Sequence, residues 1–116
     1  MKMTPQELIS ELKNGKKKKI ILDTDAYNEV DDQYAIAYSM LSPDRVEILS
    51  INAAPFLNKR STSAGDGMEK SYNEIFRITA LTDPEKAKDI PVYRGSDRFL
   101  PSKSEYVSSP ACDNII

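Results

Sequence analysis

Apolar and polar positions along the chain predict strands that alternate with helices. Residues 19–24 contain the continuous apolar run Ile20-Ile21-Leu22, which is typical of a strand buried on both faces in a parallel sheet. Residues 46–51 predict a second strand and residues 90–95 a short third one. Because helical patterns separate them, we expect a three-layer α/β fold with a mostly parallel, Rossmann-like sheet and the first strand at its centre.

The helical segments carry recognisable ends. Thr4-Pro5-Gln6-Glu7 fits a capping box, and Gly15 suits the end of that first helix. The next helix is predicted over residues 31–41, and a long amphipathic helix follows the polar stretch 61–66 and ends at Pro84. The inner side of the 31–41 helix is predicted to hold Tyr34, Ala35, Ala37, Tyr38 and Leu41, and the core stripe of the long helix Met68, Tyr72, Ile75, Phe76 and Thr79.

Composition and charge narrow the function classes. The chain has 116 residues, one cysteine (Cys112) and a formal net charge of −2, so one domain without an internal disulfide is expected. Residues 16–19 form a lysine run, which is expected to be solvated, and no concentrated basic face suits nucleic acid or anionic lipid. No apolar run of signal-peptide or membrane-spanning length is present, which favours a cytoplasmic location.

Four aspartates follow the first predicted strand: Asp23, Asp25, Asp31 and Asp32. In parallel sheets ligands bind at the carboxyl ends of the strands, where these residues fall. Aspartates at a helix start can cap free amides and complement the helix dipole. Four carboxylates within ten residues repel one another, however, and a bound cation relieves that repulsion. An all-oxygen ligand set favours Ca²⁺ or Mg²⁺ over zinc.

Two known aspartate motifs fit the cluster poorly. An EF-hand loop that starts at Asp23 requires glycine at its sixth position and glutamate at its twelfth, but Asn28 and Tyr34 stand there. A phosphotransferase of the haloacid dehalogenase type would match Asp23 and Asp25, yet Tyr27 occupies its next required position. That second match is therefore partial.

A third motif fits better. The segment Asp23-Thr24-Asp25, a five-residue loop and then Asp31-Asp32-Gln33-Tyr34-Ala35-Ile36-Ala37 resembles the D-x-D-P-G-x-D-D-A-x-A signature of the inosine-uridine preferring nucleoside hydrolase family. The loop lacks the proline and glycine of that signature and is two residues longer. The segments VEILSINAAPFLN, DGMEKSYNEIFRITAL and IPVYRGSDRFL extend the resemblance over most of residues 16–101.

The resemblance implies a fold and an activity. A nucleoside hydrolase cleaves the N-glycosidic bond of a ribonucleoside with a Ca²⁺-bound water that an aspartate activates. Asp25 would then contact the Ca²⁺ and accept the proton, and Asp32 would be a second metal ligand. Asp31 would hold a ribose hydroxyl, Asn58 would contact the sugar, and Asp23 would support the loop.

The resemblance also implies residues that this chain does not contain. Members of the family are longer and carry a later aspartate and usually a histidine, whereas these 116 residues include no histidine. Residues 1–116 are therefore expected to be the N-terminal part of a single nucleoside hydrolase-like domain, with a helix beginning near Ser109. A non-catalytic remnant that binds a cation or ribose is the alternative. Uncovered sheet edges and apolar helix faces predict a homo-oligomer.

Overall fold

The computed structural model describes residues 2–116. Five helices and three strands appear in this part of the chain. In chain order they are α1 (Pro5–Lys13), β1 (Lys18–Thr24), α2 (Val30–Met40), β2 (Val46–Ala53), α3 (Ala64–Thr82), α4 (Pro84–Ala87), β3 (Val92–Arg94) and α5 (Pro110–Ile115). The predicted alternation of strands and helices is confirmed.

The three strands form one parallel sheet in the order β1-β2-β3. The sheet is open, and β2 is its middle strand. The predicted central position of β1 is therefore wrong, because within residues 2–116 β1 pairs only with β2. Its side chains alternate between half-buried and exposed, with Ile21 37% exposed, whereas the last four residues of β2 are all buried. A continuous apolar run thus belongs here to an edge strand.

One face of the sheet holds the hydrophobic core. Ile51 and Ala53 of β2 pack with Ile36 and Met40 of α2 and with Ile75 of α3, and all five are at most 1% exposed. Helices α2 and α3 therefore cover the same face. Alternation along β2 turns its other buried side chains, Ser50 and Asn52, to the opposite face, where Asn114 of α5 donates a hydrogen bond to the Ser50 hydroxyl (2.8 Å).

Helix α2 turns a different stripe inward from the one that the sequence predicts. Ile36 and Met40 are its buried residues, whereas Tyr34 and Tyr38 are 73% and 76% exposed. Leu41 and Ala35 are exposed as well. Two apolar stripes with the same helical spacing run along α2, and periodicity alone does not distinguish them. The inner-face prediction was wrong because contacts with β2 and α3 decide which stripe is buried.

Local signals at the helix ends are largely confirmed. The Thr4 amide donates to Glu7 (2.7 Å) and the Glu7 amide to the Thr4 hydroxyl (3.3 Å), which completes the capping box of α1. Gly15 has a positive φ of 72° just after α1, a conformation that glycine adopts without strain. Helix α3 begins at Ala64, inside the stretch predicted as a loop, and Pro84 opens α4 rather than merely ending α3.

The predicted core stripe of α3 is confirmed in part. Met68, Ile75 and Thr79 are buried, whereas Phe76 is exposed and Tyr72 is half-buried. The helix expected near Ser109 is present, with the Ser109 hydroxyl accepting from the Cys112 amide. No helix in residues 2–116 is both long enough and apolar enough to cross a lipid bilayer.

Candidate functional site

The loop between β1 and α2 follows the carboxyl end of β1 and carries Asp25. The Asn28 amide donates to the Asp25 carbonyl oxygen (2.7 Å) and closes a turn. The Tyr27 amide donates to the Ser71 hydroxyl of α3 (3.2 Å), and Ala26 is fully buried. A loop held at its backbone and at a buried alanine is restrained, so the position of Asp25 depends on α3.

A second restraint on this loop comes from α2. The Gln33 side-chain amide donates to the Ala26 carbonyl oxygen (3.3 Å) and to Glu74 of α3 (3.0 Å). Glu74 is buried and also accepts from Arg77 at 2.9 Å, which compensates its charge. The loop is therefore fixed from both helices, although it lacks the proline and glycine that the family signature has there.

Asp25 and Asn58 belong to one hydrogen-bond network. The Asn28 side chain donates to the Asp25 carboxylate (2.8 Å), and the Asn58 side chain donates to the Asn28 side-chain oxygen. Arg60 donates from its guanidinium to the Asn28 carbonyl oxygen. The structure thus brings Asp25 and Asn58 together through Asn28, a residue that sequence reasoning did not select.

Asn58 lies on the loop between β2 and α3, and that loop is seated directly on α3. The Ser61 hydroxyl accepts from the Asn58 amide (3.2 Å) and donates to the Phe56 carbonyl oxygen (3.0 Å). A Cβ atom at Gly67 would lie 2.1 Å from that same carbonyl oxygen. Only glycine therefore allows the loop to approach α3 so closely.

Asp32 is tied to the end of β1. The Thr24 hydroxyl donates to the Asp32 carboxylate over 2.6 Å, and Thr24 is buried. The N-cap residue of α2 is Glu29, whose side chain makes no capping hydrogen bond. Asp31 and Asp32 stand in the first turn of α2, where their charge complements the helix dipole. Asp32 thus connects strand and helix rather than capping the helix end.

Asp23 occupies a different face from Asp32. It pairs in register with Asn52 of β2, which in turn pairs with Tyr93 of β3. Asp23 is exposed at the sheet surface, but neighbouring atoms partly desolvate its carboxyl and raise its pKa above the ordinary value, because a less polar environment disfavours the charged form. Asn52 is fully buried, and its side-chain nitrogen and oxygen have no hydrogen-bond partner among residues 2–116.

The predicted site residues are thus brought together in part. Asp25 and Asn58 share a network, and Asp32 is bound to Thr24, the residue just before Asp25. Asp31 is exposed in the first turn of α2 and lies outside both sets of contacts. Sequence reasoning missed Thr24 and Asn28. The position of Thr24 between two aspartates at a strand end was the available signal for the first.

The donor atoms suit a hard cation, but the set is incomplete. Asp25 and Asp32 offer carboxylate oxygens, which calcium prefers, and calcium takes about 6 to 8 oxygen ligands. Within the part of the chain that the structure describes, no three or more His, Cys, Asp and Glu side chains form a group that could hold a metal ion. Water, substrate hydroxyls or neutral oxygens would have to complete the shell.

Comparisons with known proteins do not identify the chain. No family model matches it, and searches of curated proteins and of solved structures found no significant match either. The nucleoside hydrolase resemblance therefore stays a prediction that depends on the aspartate motif and the segments around it.

Proposed function

We propose that the protein acts on the N-glycosidic bond of ribonucleosides, with Asp25 as the residue that accepts a proton from the attacking water. One observation carries the proposal. Asp25, Asp32 and Asn58 all lie on or next to the carboxyl ends of parallel strands, and hydrogen bonds through Asn28 and Thr24 hold them there. This edge is where α/β sheets bind their ligands.

The reaction requires few protein groups. Water attacks the anomeric carbon of ribose, the bond to the base nitrogen breaks, and the base leaves with the bonding electron pair and takes a proton from solvent. The transition state resembles an oxocarbenium ion, so nearby negative charge stabilises it. Asp25 supplies that charge and accepts the water proton. Asn58 and Asp31 would bind sugar hydroxyls. Asp31 stands in the first turn of α2, so its backbone is more restrained than that of Asn58, which lies on a loop.

Calcium is the cofactor that we propose for Asp25 and Asp32, and when bound it would lower the pKa of the attacking water. The Thr24 hydroxyl donates to Oδ2 of Asp32, and the Asn28 side chain donates to Oδ2 of Asp25. A carboxylate has about four lone-pair sites, so these hydrogen bonds orient both groups without using up their capacity to accept. Nucleosides as ligands and a homo-oligomeric state belong to the same proposal.

Ribose release tests the proposed reaction. The full chain is incubated with inosine or uridine and millimolar calcium chloride, and free reducing sugar is measured over time. Turnover is expected in the wild type and absent in Asp25→Asn. The matched control is Asp44→Asn, which removes the same charge from an exposed turn before β2 and should retain turnover. Equal rates in all three proteins would reject Asp25 as the base.

A non-catalytic binding protein is the second candidate function, because these 116 residues include no histidine, a residue that the family resemblance implies for the leaving base. Such a protein would bind calcium or ribose through Asp25 and Asp32 without cleaving the bond. Calorimetric titration with calcium and with ribose separates the two functions. Binding that Asp32→Asn weakens, together with no sugar release from either nucleoside, would support the binding protein over the hydrolase.

A further inference from the structure

Within residues 2–116, β1 has one edge that pairs with no other strand. The Lys18 amide donates to Arg45 at the start of β2 (2.9 Å), and the Thr24 carbonyl oxygen accepts from Ala54 just after β2 (2.8 Å). In a parallel strand, the N–H and C=O groups of one residue point to the same side, and that side alternates from each residue to the next. The backbone groups of Lys19, Ile21 and Asp23 therefore point away from β2, and β1 has no strand on that side within residues 2–116.

The side chains of the same three residues are also exposed. Lys19, Ile21 and Asp23 share one face of β1, opposite to the face of Leu22 that packs against the core. Their order is basic, apolar, acidic, with Ile21 in the middle. An antiparallel copy of the strand has the reverse order, so each charge would face its opposite across the pair.

We propose that β1 pairs with β1 of a second copy of this chain, antiparallel and about a two-fold axis at Ile21. The axis places Ile21 against its own copy, Lys19 against the Asp23 of the second copy, and Ile20 against Leu22. The two three-stranded sheets then become one continuous sheet. This interface specifies the homo-oligomer proposed above, and it does not depend on hydrolase activity, because it uses only the edge of β1.

The proposed register satisfies the backbone and the side chains together. Residues paired by both backbone bonds in an antiparallel ladder alternate with residues that are not, and an axis at Ile21 assigns the bonded positions to Lys19, Ile21 and Asp23. These are the residues whose groups face outward. Opposite charges directly across a ladder stabilise it, and like charges destabilise it. A shift of one residue would lose both matches.

The lysines at the start of β1 bear on whether this edge pairs at all. A charged edge strand usually discourages pairing, since charges of one sign repel when two edges meet. Here the acidic residue lies as far beyond Ile21 as the basic residue lies before it, so the antiparallel two-fold arrangement turns repulsion into attraction. Parallel pairing of two copies would instead set Lys19 against Lys19. The charges thus select a dimer of closed symmetry over an extended assembly.

Sedimentation of designed variants tests the interface. The wild type is expected to be a dimer at micromolar to millimolar concentration. Lys19→Glu places two acidic side chains at each end of the ladder and should weaken dimerisation by about tenfold or more. The double variant Lys19→Glu with Asp23→Lys reverses both charges and should restore the dimer. Lys103→Glu makes the same charge change in an exposed turn far from β1 and should leave dimerisation unchanged.

Amide hydrogen exchange gives an independent readout. In the dimer the Ile21 amide should be protected, and this protection should fall in Lys19→Glu, whereas the Leu22 amide faces β2 and should stay protected in both. A wild type that stays monomeric at millimolar concentration would overturn the proposal, as would a monomer with a protected Ile21 amide. A dimer indifferent to Lys19→Glu, or one that the charge reversal does not restore, would also contradict it.

Discussion

The hydrogen bond between Thr24 and Asp32 should contribute measurably to stability, and Thr24→Val removes it. Valine has nearly the same shape, so little cavity forms, and the main loss is a hydrogen bond to a charged acceptor 2.6 Å away. Such bonds contribute about 1.5 to 3 kcal/mol. Because Asp32 is only half-buried and can recruit water, we expect a loss of about 1.5 kcal/mol. For a domain of this size that corresponds to a melting temperature lower by roughly 6 °C or more.

Thermal and urea unfolding at neutral pH would measure this loss. Thr24→Ser keeps the hydroxyl and is the control, since it should retain the coupling to Asp32 although it loses a methyl group. A double-mutant cycle with Asp32→Ala should give a coupling energy of about 1 kcal/mol for the Thr24 and Asp32 pair. If Thr24→Val and Asp32→Ala prove additive, the bond does not hold strand and helix together, and the argument for a preorganised Asp32 is wrong.

Three further outcomes are expected. Gly67→Ala should destabilise the protein by more than about 2 kcal/mol in urea unfolding, although alanine normally favours a helix, because its Cβ would lie 2.1 Å from the Phe56 carbonyl oxygen. The hydrogen bond from Lys70 lowers the pKa of Asp66 below its ordinary value of 3.8. The stability that ionised Asp66 contributes to the fold is therefore present above that ordinary value and is lost as pH falls through the lowered pKa. The melting temperature of Asp66→Asn should accordingly be less sensitive to acid. Calcium at a hundred times its dissociation constant should stabilise the wild type by about 2.7 kcal/mol and should stabilise Asp32→Asn far less, as calorimetric melting would show.

Features that depend on neighbouring residues could be predicted from the sequence. The capping box of α1 and Gly15 after it are confirmed because each involves contacts within one turn of chain. The helix that begins after Ser109 is confirmed for the same reason. The parallel order of the strands followed from their alternation with helices, since parallel neighbours need a crossover connection.

Features that depend on distant contacts could not be predicted. The exposure of Tyr34 and Tyr38 is set by how α2 packs on β2 and α3, and the edge position of β1 is set by which strands pair. In the site, the aspartates are visible in the sequence, whereas Asn28 becomes a partner of Asp25 only through the path of the loop. The hydrogen bond between Asn28 and Asn58 joins residues 30 positions apart, so no local sequence pattern indicates it.

Helix α3 helps to set the spacing between the two proposed calcium ligands. The Asp25 loop is bound to α3 through Ser71, and the loop of Asn58 is seated on α3 at Gly67, whereas Asp32 is fixed separately by Thr24. A change on α3 should therefore move Asp25 relative to Asp32 without touching either carboxylate. Because the proposed calcium site uses both carboxylates, a small displacement of Asp25 should reduce calcium affinity even when neither carboxylate changes its own hydrogen bonds.

Ser71→Ala tests whether α3 positions Asp25, separately from any general loss of stability. It removes the hydroxyl that accepts from the Tyr27 amide, and it leaves α3 with a better helix former. The fold should lose about 1 kcal/mol, since the hydrogen bond between the Tyr27 amide and the buried Ser71 hydroxyl is lost, while calcium affinity should fall severalfold. Ser109→Ala, which removes the capping hydroxyl of α5, is the matched control and should lower stability by a similar amount with calcium affinity unchanged. Equal calcium affinities in the two variants would mean that α3 does not position Asp25, and the carboxylates would then be set by β1 and α2 alone.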